Sequence, residues 1–203
     1  MDIRNPCCIR VDGALARWSM THSVCVFCSS SNSIDGRYLE LARDFGQHFG
    51  PRGWTLVSGG GSVSMMGELA RSVRASGGHT IGVIPQALKD LEVADLEADE
   101  LVVTHDMRQR KGVMDERSDA FVALPGGIGT LEELMEAWTS RSLAMHDKPV
   151  VVLDPWDDYA LLRRQVDAWV DRGFVSVASV ERVHWLQDPA QVLITLEAAL
   201  AGS

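Results

Sequence analysis

The sequence predicts a single doubly wound α/β domain with a mainly parallel sheet flanked by helices. Short β-rich runs alternate with amphipathic stretches along the chain, as in repeated βα units. Runs such as residues 150–153 are apolar at successive positions, which is typical of strands covered on both faces. Because no repeat or Pro/Ser-rich linker marks a second domain, we expect residues 23–203 to form one domain. Residues 1–22 lack a sustained pattern of hydrophobic residues and are predicted to be a loosely attached tail.

The individual elements follow from the hydrophobic period and from the glycine and proline residues that interrupt it. Strands are predicted at residues 24–28, 54–58, 79–84, 101–104, 120–124, 150–153 and 182–186. Helices are predicted around Leu39 to Phe49 and at residues 65–75, 107–117, 130–145, 159–170 and 189–200. Ligands of such folds bind at the carboxyl ends of the strands, and two glycine-rich turns lie there.

Composition and charge exclude several classes of function. The 203 residues contain 19 Lys and Arg against 28 Asp and Glu, a formal net charge of −9, and 46% are hydrophobic. This acidic balance disfavours non-specific binding to nucleic acid or to an anionic membrane surface. No apolar run approaches the length of a membrane span or of a signal-peptide core. We therefore expect a globular, cytoplasmic protein.

The cysteines and histidines do not predict a metal site. All four cysteines lie within the first 28 residues, and the pair Cys25 and Cys28 falls inside a predicted strand. Residues three apart on a strand point to opposite faces, which favours buried structural cysteines over a metal or redox pair. The six histidines are scattered without metal-ligand spacing.

The first glycine-rich turn, Gly59-Gly60-Gly61, follows a strand and opens a helix. It nearly matches the dinucleotide-binding fingerprint. That site also expects an acidic residue about 20 positions on, and there is none between Glu68 and Asp90. A classical NAD site is therefore disfavoured, while a close-packed turn and contact with an anion or nucleotide both remain open.

The second turn, Pro125-Gly126-Gly127-Ile128-Gly129-Thr130, also connects a buried strand to a helix. Its backbone amides, a threonine hydroxyl and the helix dipole predict an anion cradle. Because no lysine follows Gly129, it is not a Walker loop. Arg110 and Lys111 lie one strand upstream and are expected to reach the same edge of the sheet, with a solvated basic face as the alternative.

These motifs together resemble one known family. The pattern P-G-G-x-G-T-x-x-E at residues 125–133, preceded by M-x-x-R-K at 107–111 and by the turn at 59–67, resembles the LONELY GUY family of cytokinin riboside 5′-monophosphate phosphoribohydrolases. The resemblance covers about residues 23–200. It implies a Rossmann-like fold, a homodimer, and hydrolysis of the N-glycosidic bond of AMP and N6-modified adenosine 5′-monophosphates. It implies no metal and no other cofactor.

The resemblance also assigns residues. Arg110 and Glu133 take the catalytic positions, and we expect the helix dipole to keep Glu133 ionised. Substrate-contact positions are Gly59, Gly60, Gly61, Glu92, Met107, Lys111, Gly126, Gly127, Ile128, Gly129, Thr130, Leu131, Glu132 and Thr139. Ser29, Ser58 and Ser64 stand where family members often carry Gly, an aromatic residue and Gly. The resemblance places the homodimer interface at the helix after the R-K motif and at the helix that carries Leu134, Ala137 and Trp138, and pairing is expected to bury Trp138 or its neighbours.

Two alternatives come from other functional classes. A pyridoxal-dependent decarboxylase needs a Schiff-base lysine, but the chain contains only Lys89, Lys111 and Lys148, and Lys148 precedes a proline at the entry to a strand. A non-catalytic nucleotide or molybdenum-cofactor carrier would share the fold and the glycine turns. A carrier does not require the pair Arg110 and Glu133, which favours the hydrolase.

Overall fold

A computed structural model describes residues 22–89 and 94–202. The strands are β1 (Ser23–Phe27), β2 (Thr55–Ser58), β3 (His79–Pro85), β4 (Glu100–Thr104), β5 (Ala120–Ala123), β6 (Val150–Leu153) and β7 (Val183–Leu186). The helices are α1 (Gly36–Gly46), α2 (Ser64–Ala75), α3 (Gln86–Lys89), α4 (Met107–Glu116), α5 (Ile128–Ser142), α6 (Ala160–Asp171), α7 (Val177–Val180) and α8 (Pro189–Leu200). A 3₁₀ turn covers Gly50–Arg52.

The strands form one parallel sheet in the order β4-β3-β2-β1-β5-β6-β7. This confirms the predicted doubly wound α/β class. The chain moves outward from β1 in one direction through β2, β3 and β4, and in the other through β5, β6 and β7. The order therefore reverses between β1 and β5. In such sheets the ligand crevice opens at the carboxyl ends of the strands that flank this switch point.

Alternate residues of β1 enter two separate cores. Val24 and Val26 pack with α1, α2 and α8, whereas Cys25 and Phe27 pack with α4, α5 and α6 on the other face. Cys28 lies on the first side, so Cys25 and Cys28 point to opposite faces as predicted. Both thiols are free and buried, and burial raises the pKa of each well above its usual range. They are structural cysteines, as expected.

Most element boundaries agree with the prediction to within one or two residues, but three differences matter. The short helices α3 and α7 were not predicted. Helix α5 begins at Ile128 rather than at residue 130. The predicted tail falls almost wholly on residues 1–21, which lie outside the described part of the chain.

Trp138 does not need a partner subunit to be buried, so this part of the dimer expectation is wrong. Trp138 is already buried within the chain, where its indole Nε1 donates to the carbonyl of Ser179 at 2.7 Å and its ring packs edge-on against Trp185. Leu134 and Ala137 are buried in the same core. Helices α6 and α7 and strand β7 cover this face of α5, so its apolar residues fill the core of the chain itself.

Two further findings concern membranes and metals. No helix within the described ranges is both long and apolar enough to cross a bilayer. Over the same ranges, no three His, Cys, Asp or Glu side chains group closely enough to hold a metal ion.

Candidate functional site

A cavity of about 360 Å³ opens at the carboxyl ends of β1, β2 and β5, beside the switch point. Both sequence motifs contribute to it, with the β1–α1 loop forming the wall between them. Its lining residues are Val26, Phe27, Cys28, Ser29, Ser30, Ser31, Gly59, Met66, Leu88, Met107, Arg110, Met114, Gly127, Ile128, Gly129, Thr130, Glu132 and Glu133. The cavity therefore combines glycine-rich backbone, one buried cation, two carboxylates and an apolar methionine-rich wall.

The turn before α5 leaves backbone amides facing this cavity. Gly127 is the N-cap of α5, and no described side chain caps the helix there. The first N–H groups of a helix have no partner within the helix, and the dipole makes this end attractive to anions. A Cβ at Gly127 or at Gly129 would meet no described atom within 4 Å. These two glycines therefore leave open space directly above the N-terminus of the helix.

Gly126 has a different reason to be glycine. A Cβ at this position would lie 2.1 Å from the hydroxyl oxygen of Thr130, whose side chain is buried. Gly126 thus permits the close packing that fixes Thr130 at the start of α5. Of the three glycines in this turn, Gly126 is needed for packing against Thr130, whereas Gly127 and Gly129 leave room in the cavity at the N-terminus of α5.

Arg110 is buried at the ends of β2 and β3. Its Nε donates to the carbonyl of Val83 at 3.1 Å and its Nη2 to the carbonyl of Gly59 at 3.0 Å. A Cβ at Gly59 would lie 1.9 Å from Nη2, so only glycine leaves room for the guanidinium. The two carbonyls fix the position of this cation, and its Nη1 donates to the sulfur of Met107 at 3.6 Å. These contacts use three of the five guanidinium N–H groups, which leaves two for a ligand in the cavity.

Gly60 and Gly61 do not line the cavity, in contrast to Gly59. Gly60 adopts φ +75°, where glycine is favoured, and its N–H points to the hydroxyl of Ser58 at 3.4 Å. The N–H of Gly61 contacts the sulfur of Met66 at 3.1 Å. Backbone conformation and packing account for Gly60, where a Cβ would also lie 3.1 Å from the backbone nitrogen of Val83. This supports the close-packed turn, one of the two alternatives left open, at that position.

Ser64 also occupies a conformation that favours glycine, with φ +53°. Glycine, which the family resemblance leads us to expect at this position, adopts such a conformation without strain. The hydroxyl of Ser64 donates to the carbonyl of Ser31 at 2.6 Å. The serine thus connects the turn after β2 to the β1–α1 loop that lines the cavity.

Glu133 lies in the second turn of α5 and is half-buried. Burial raises the pKa of its carboxyl group to about 7, against the opposing effect of the Arg110 guanidinium. At a pKa of about 7 a substantial fraction of Glu133 is protonated at neutral pH, so the helix dipole does not keep the carboxyl group fully ionised. With α5 starting at Ile128, the carboxylate lies beyond the first turn, where the dipole effect has declined.

Lys111 points away from the cavity that Arg110 lines. Its Nζ is 2.5 Å from Oε1 of Glu132 and 2.6 Å from Oε2 of Glu136, and these hydrogen bonds raise the pKa of the lysine. The lysine lines a smaller cavity of about 110 Å³ between α4 and α5, together with Asp115. Glu133 lines both cavities. Arg110 and Lys111, although adjacent, therefore have different surroundings.

The other predicted contact residues are dispersed. Met107 and Ile128 lie at the cavity and are 43% and 88% exposed. Leu131 packs against the core of α4, α5 and α6. Thr139 lines a separate apolar groove further along α5. Glu92 lies outside the described residues.

Sequence reasoning missed part of the lining. Ser29 was placed beside the nucleotide site through the family resemblance, but Ser30, Ser31, the apolar side chains Met66, Leu88 and Met114, and an adjoining cavity of about 390 Å³ were not predicted as site features. The adjoining cavity meets the first at Ser29, Ser31 and Gly127. The serine loop had a detectable signal, because it follows the strand beside which the chain order reverses.

Several known proteins are similar to this chain in sequence, and three of them carry the same enzyme name. The family model described as "Possible lysine decarboxylase" matches residues 66–196. A cytokinin riboside 5′-monophosphate phosphoribohydrolase from Mycobacterium tuberculosis is 50% identical over 161 residues, which cover 79% of this chain and 86% of the relative. An enzyme of the same name from Mycobacterium marinum is 48% identical over 82% of this chain and 87% of the relative. One from Arabidopsis thaliana is 43% identical over 75% and 67%.

Solved structures share the fold at lower sequence identity. The molybdenum cofactor carrier protein from Chlamydomonas reinhardtii superimposes with a TM-score of 0.69 at 24% identity, covering 89% of this chain and 99% of the carrier. The molybdenum cofactor binding protein from Rippkaea orientalis gives the same TM-score and identity, covering 89% and 98%. At this identity the similarity concerns the fold alone.

Proposed function

Because the chain belongs to the family that contains the cytokinin riboside 5′-monophosphate phosphoribohydrolases, we propose that it hydrolyses the N-glycosidic bond of AMP and of N6-modified adenosine 5′-monophosphates. The products are the free base and ribose 5-phosphate. One observation carries this proposal. The uncapped N-terminus of α5, with open space above Gly127 and Gly129, lies in the same cavity as Arg110 and Glu133.

The start of α5 is the phosphate site in this proposal. The amides at the start of the helix present donors, and the hydroxyl of Thr130 adds another. Hydrogen bonds from such donors to a charged phosphate contribute about 1.5–3 kcal/mol each. A neutral nucleoside lacks this anchor. The geometry therefore favours nucleoside monophosphates over nucleosides.

Arg110 is assigned to the departing base and not to the phosphate. Neighbouring strands are about 4.8 Å apart, so the end of β2, which holds the guanidinium, lies about 10 Å from the end of β5, which precedes the phosphate site. A phosphate held by the α5 amides therefore lies across the cavity from Arg110. A base extending from the same nucleotide across the cavity reaches Arg110 and the apolar wall of Met66 and Met114.

Glu133 is assigned to the attacking water. Hydrolysis breaks the C1′–N9 bond and forms a bond from C1′ to the water oxygen, while one water proton leaves and the base nitrogen gains a proton. Positive charge develops on the ribose and negative charge on the base, so a carboxylate near C1′ and a cation near the base stabilise the transition state. A general base functions best with a pKa near the working pH, and burial gives Glu133 a pKa of about 7.

The alternatives make different demands on the cavity. A pyridoxal phosphate decarboxylase requires a lysine there, but no lysine is among the lining residues. Lys111 is held by Glu132 and Glu136, and Lys148 by Asp115. A carrier requires a cavity but no buried carboxylate with a raised pKa beside an immobilised arginine. These residues favour the hydrolase over both alternatives.

We also propose a homodimer, based on the family resemblance and on the apolar side chains that the chain leaves uncovered. Leu143 and Phe174 are 67% and 77% exposed and border the apolar groove along α5, which also contains Thr139. Contiguous exposed apolar surface of this kind is typical of protein interfaces. Trp138 also lines this groove, so the proposed interface lies beside the predicted residue and involves its exposed neighbours.

Turnover distinguishes the proposed enzyme from a carrier. The protein is incubated with AMP and N6-isopentenyl-AMP in excess, and free base is quantified by chromatography over time. We expect many equivalents of base per protein chain. At most one equivalent of bound nucleotide and no free base is the result expected of a carrier. A panel of N6 substituents, compared by kcat/KM, then identifies the preferred base.

A further inference from the structure

The adjoining cavity borders the proposed phosphate site on the side away from Arg110. It opens beyond Gly126 and Gly127 and is closed on the outside by Tyr38 of α1 and Asp158 of the β6–α6 loop. Its volume is about 390 Å³. A second phosphate group attached to a nucleotide at α5 would extend about one P–O–P bridge further and enter this space. The cavity therefore lies where the second phosphate group of a nucleoside diphosphate would be.

Asp158 is the one charged residue among the described residues that line this cavity. The others are serines, glycines, a proline, a tyrosine and apolar side chains. A longer phosphate chain that enters this cavity therefore meets no cation among the described lining residues. It meets the carboxylate of Asp158 instead.

Two sets of hydrogen bonds hold Asp158 in place. Its Oδ1 accepts from the hydroxyl of Tyr38 at 2.9 Å, and that hydroxyl accepts from Nη2 of Arg37 at 2.8 Å. Its backbone N–H donates to Oδ1 of the buried Asp154 at 2.7 Å, and Asp154 also accepts from the N–H of Tyr159. The guanidinium of Arg37 stacks over the rings of Tyr38 and Trp156, outside the cavity lining.

We propose that Asp158, held by Tyr38, is a specificity-determining residue that disfavours nucleoside di- and triphosphates relative to monophosphates. This inference rests on the proposed function, because it places the 5′-phosphate at the start of α5. A second phosphate brings at least one further negative charge into the cavity that this carboxylate lines. Because Asp158 is exposed, the effective dielectric constant lies between that of a protein surface and that of water, and repulsion between charges about 6 Å apart then corresponds to roughly a tenfold change in affinity.

The test compares Asp158→Asn with Asp157→Asn. The asparagine at 158 removes the charge but keeps an oxygen that accepts from Tyr38. Asp157 is the matched control, because it is a neighbouring exposed carboxylate that pairs with Arg163 and is not in the cavity lining. Base release from AMP and from ADP is measured for each protein, and calorimetry measures the binding of both nucleotides without chemistry.

We expect the wild type to prefer AMP, and Asp158→Asn to raise the ADP:AMP ratio of kcat/KM about tenfold while Asp157→Asn leaves it unchanged. A purely structural role for Asp158 would change stability and both substrates equally, without moving the ratio. An unchanged ratio in Asp158→Asn, or equal use of AMP and ADP by the wild type, overturns the inference and leaves the proposed function intact. Failure of the wild type to release base from AMP overturns the proposed function.

Discussion

Replacement of Gly127 by alanine separates the role of the α5 turn in binding from its role in folding. A Cβ at Gly127 would meet no described atom within 4 Å, and the residue is in an extended conformation with φ −92° that alanine also adopts. The folded protein therefore has room for the methyl group. The free energy of unfolding should change by less than about 0.5 kcal/mol, as for other substitutions without lost contacts.

The same methyl group occupies the space proposed for the phosphate. If it displaces the phosphate from one or two backbone amides, each lost hydrogen bond costs about 1.5–3 kcal/mol. At about 1.4 kcal/mol per factor of ten, kcat/KM for AMP should fall roughly 10-fold to 1000-fold or more. The loss should be in AMP hydrolysis, with little change in melting temperature.

Two further glycines serve as matched controls. Gly36→Ala, at the exposed start of α1, also adds a Cβ that meets nothing within 4 Å, and should leave both activity and stability unchanged. Gly126→Ala places a Cβ 2.1 Å from the Thr130 hydroxyl and should lower the melting temperature. Steady-state base release and thermal unfolding are measured on all three variants. If Gly127→Ala retains kcat/KM within threefold of the wild type, the phosphate site is not at this turn.

Three further predictions concern the charged residues and the assembly. Glu133→Gln should lose about 100- to 1000-fold in kcat while still binding AMP in calorimetry. Its melting temperature at pH 8 should not fall, because a carboxyl whose pKa is raised by folding to about 7 loses its contribution to stability as the pH rises through that value. In the wild type, kcat/KM should fall about tenfold per pH unit well below pH 7. Lys111→Met removes the cation that pairs with Glu132 and Glu136, so it should raise the pKa of Glu133 and move the fall in kcat/KM to higher pH. An unchanged pH profile would contradict the assignment of Glu133 as the general base. Light scattering should give twice the 22.2 kDa chain mass, and a stable monomer at micromolar concentration would refute the dimer.

The sheet was predicted well because each strand is marked by features of its own short stretch of sequence. Strands such as β6 (Val150–Leu153) are continuous apolar runs, and the glycine turns mark their ends. The parallel arrangement follows from the alternation with helices. For the same reason, the opposite orientations of Cys25 and Cys28 followed from the strand period alone.

The incorrect predictions depended on contacts between residues distant in the chain. The apolar face of α5 was interpreted as an interface, but Trp138 is covered by Ser179 and Trp185, which are more than 40 positions away. The pKa of Glu133 depends on its burial and on the charges of Arg110, Glu132, Lys111 and Glu136, and both come from tertiary packing around α5. Similarly, Gly59 is explained by the arginine that packs against it from α4, and the turn sequence contains no sign of this contact.

The most direct test of the central claim compares AMP with adenosine as substrates under identical conditions. Both contain the same glycosidic bond, and they differ only in the 5′-phosphate that we assign to the start of α5. Base release is followed for each, together with ribose 5-phosphate from AMP. We predict stoichiometric base and ribose 5-phosphate from AMP, with kcat/KM at least about 100-fold above that for adenosine. Equal cleavage of the two substrates, or binding of AMP without release of base, would contradict the account.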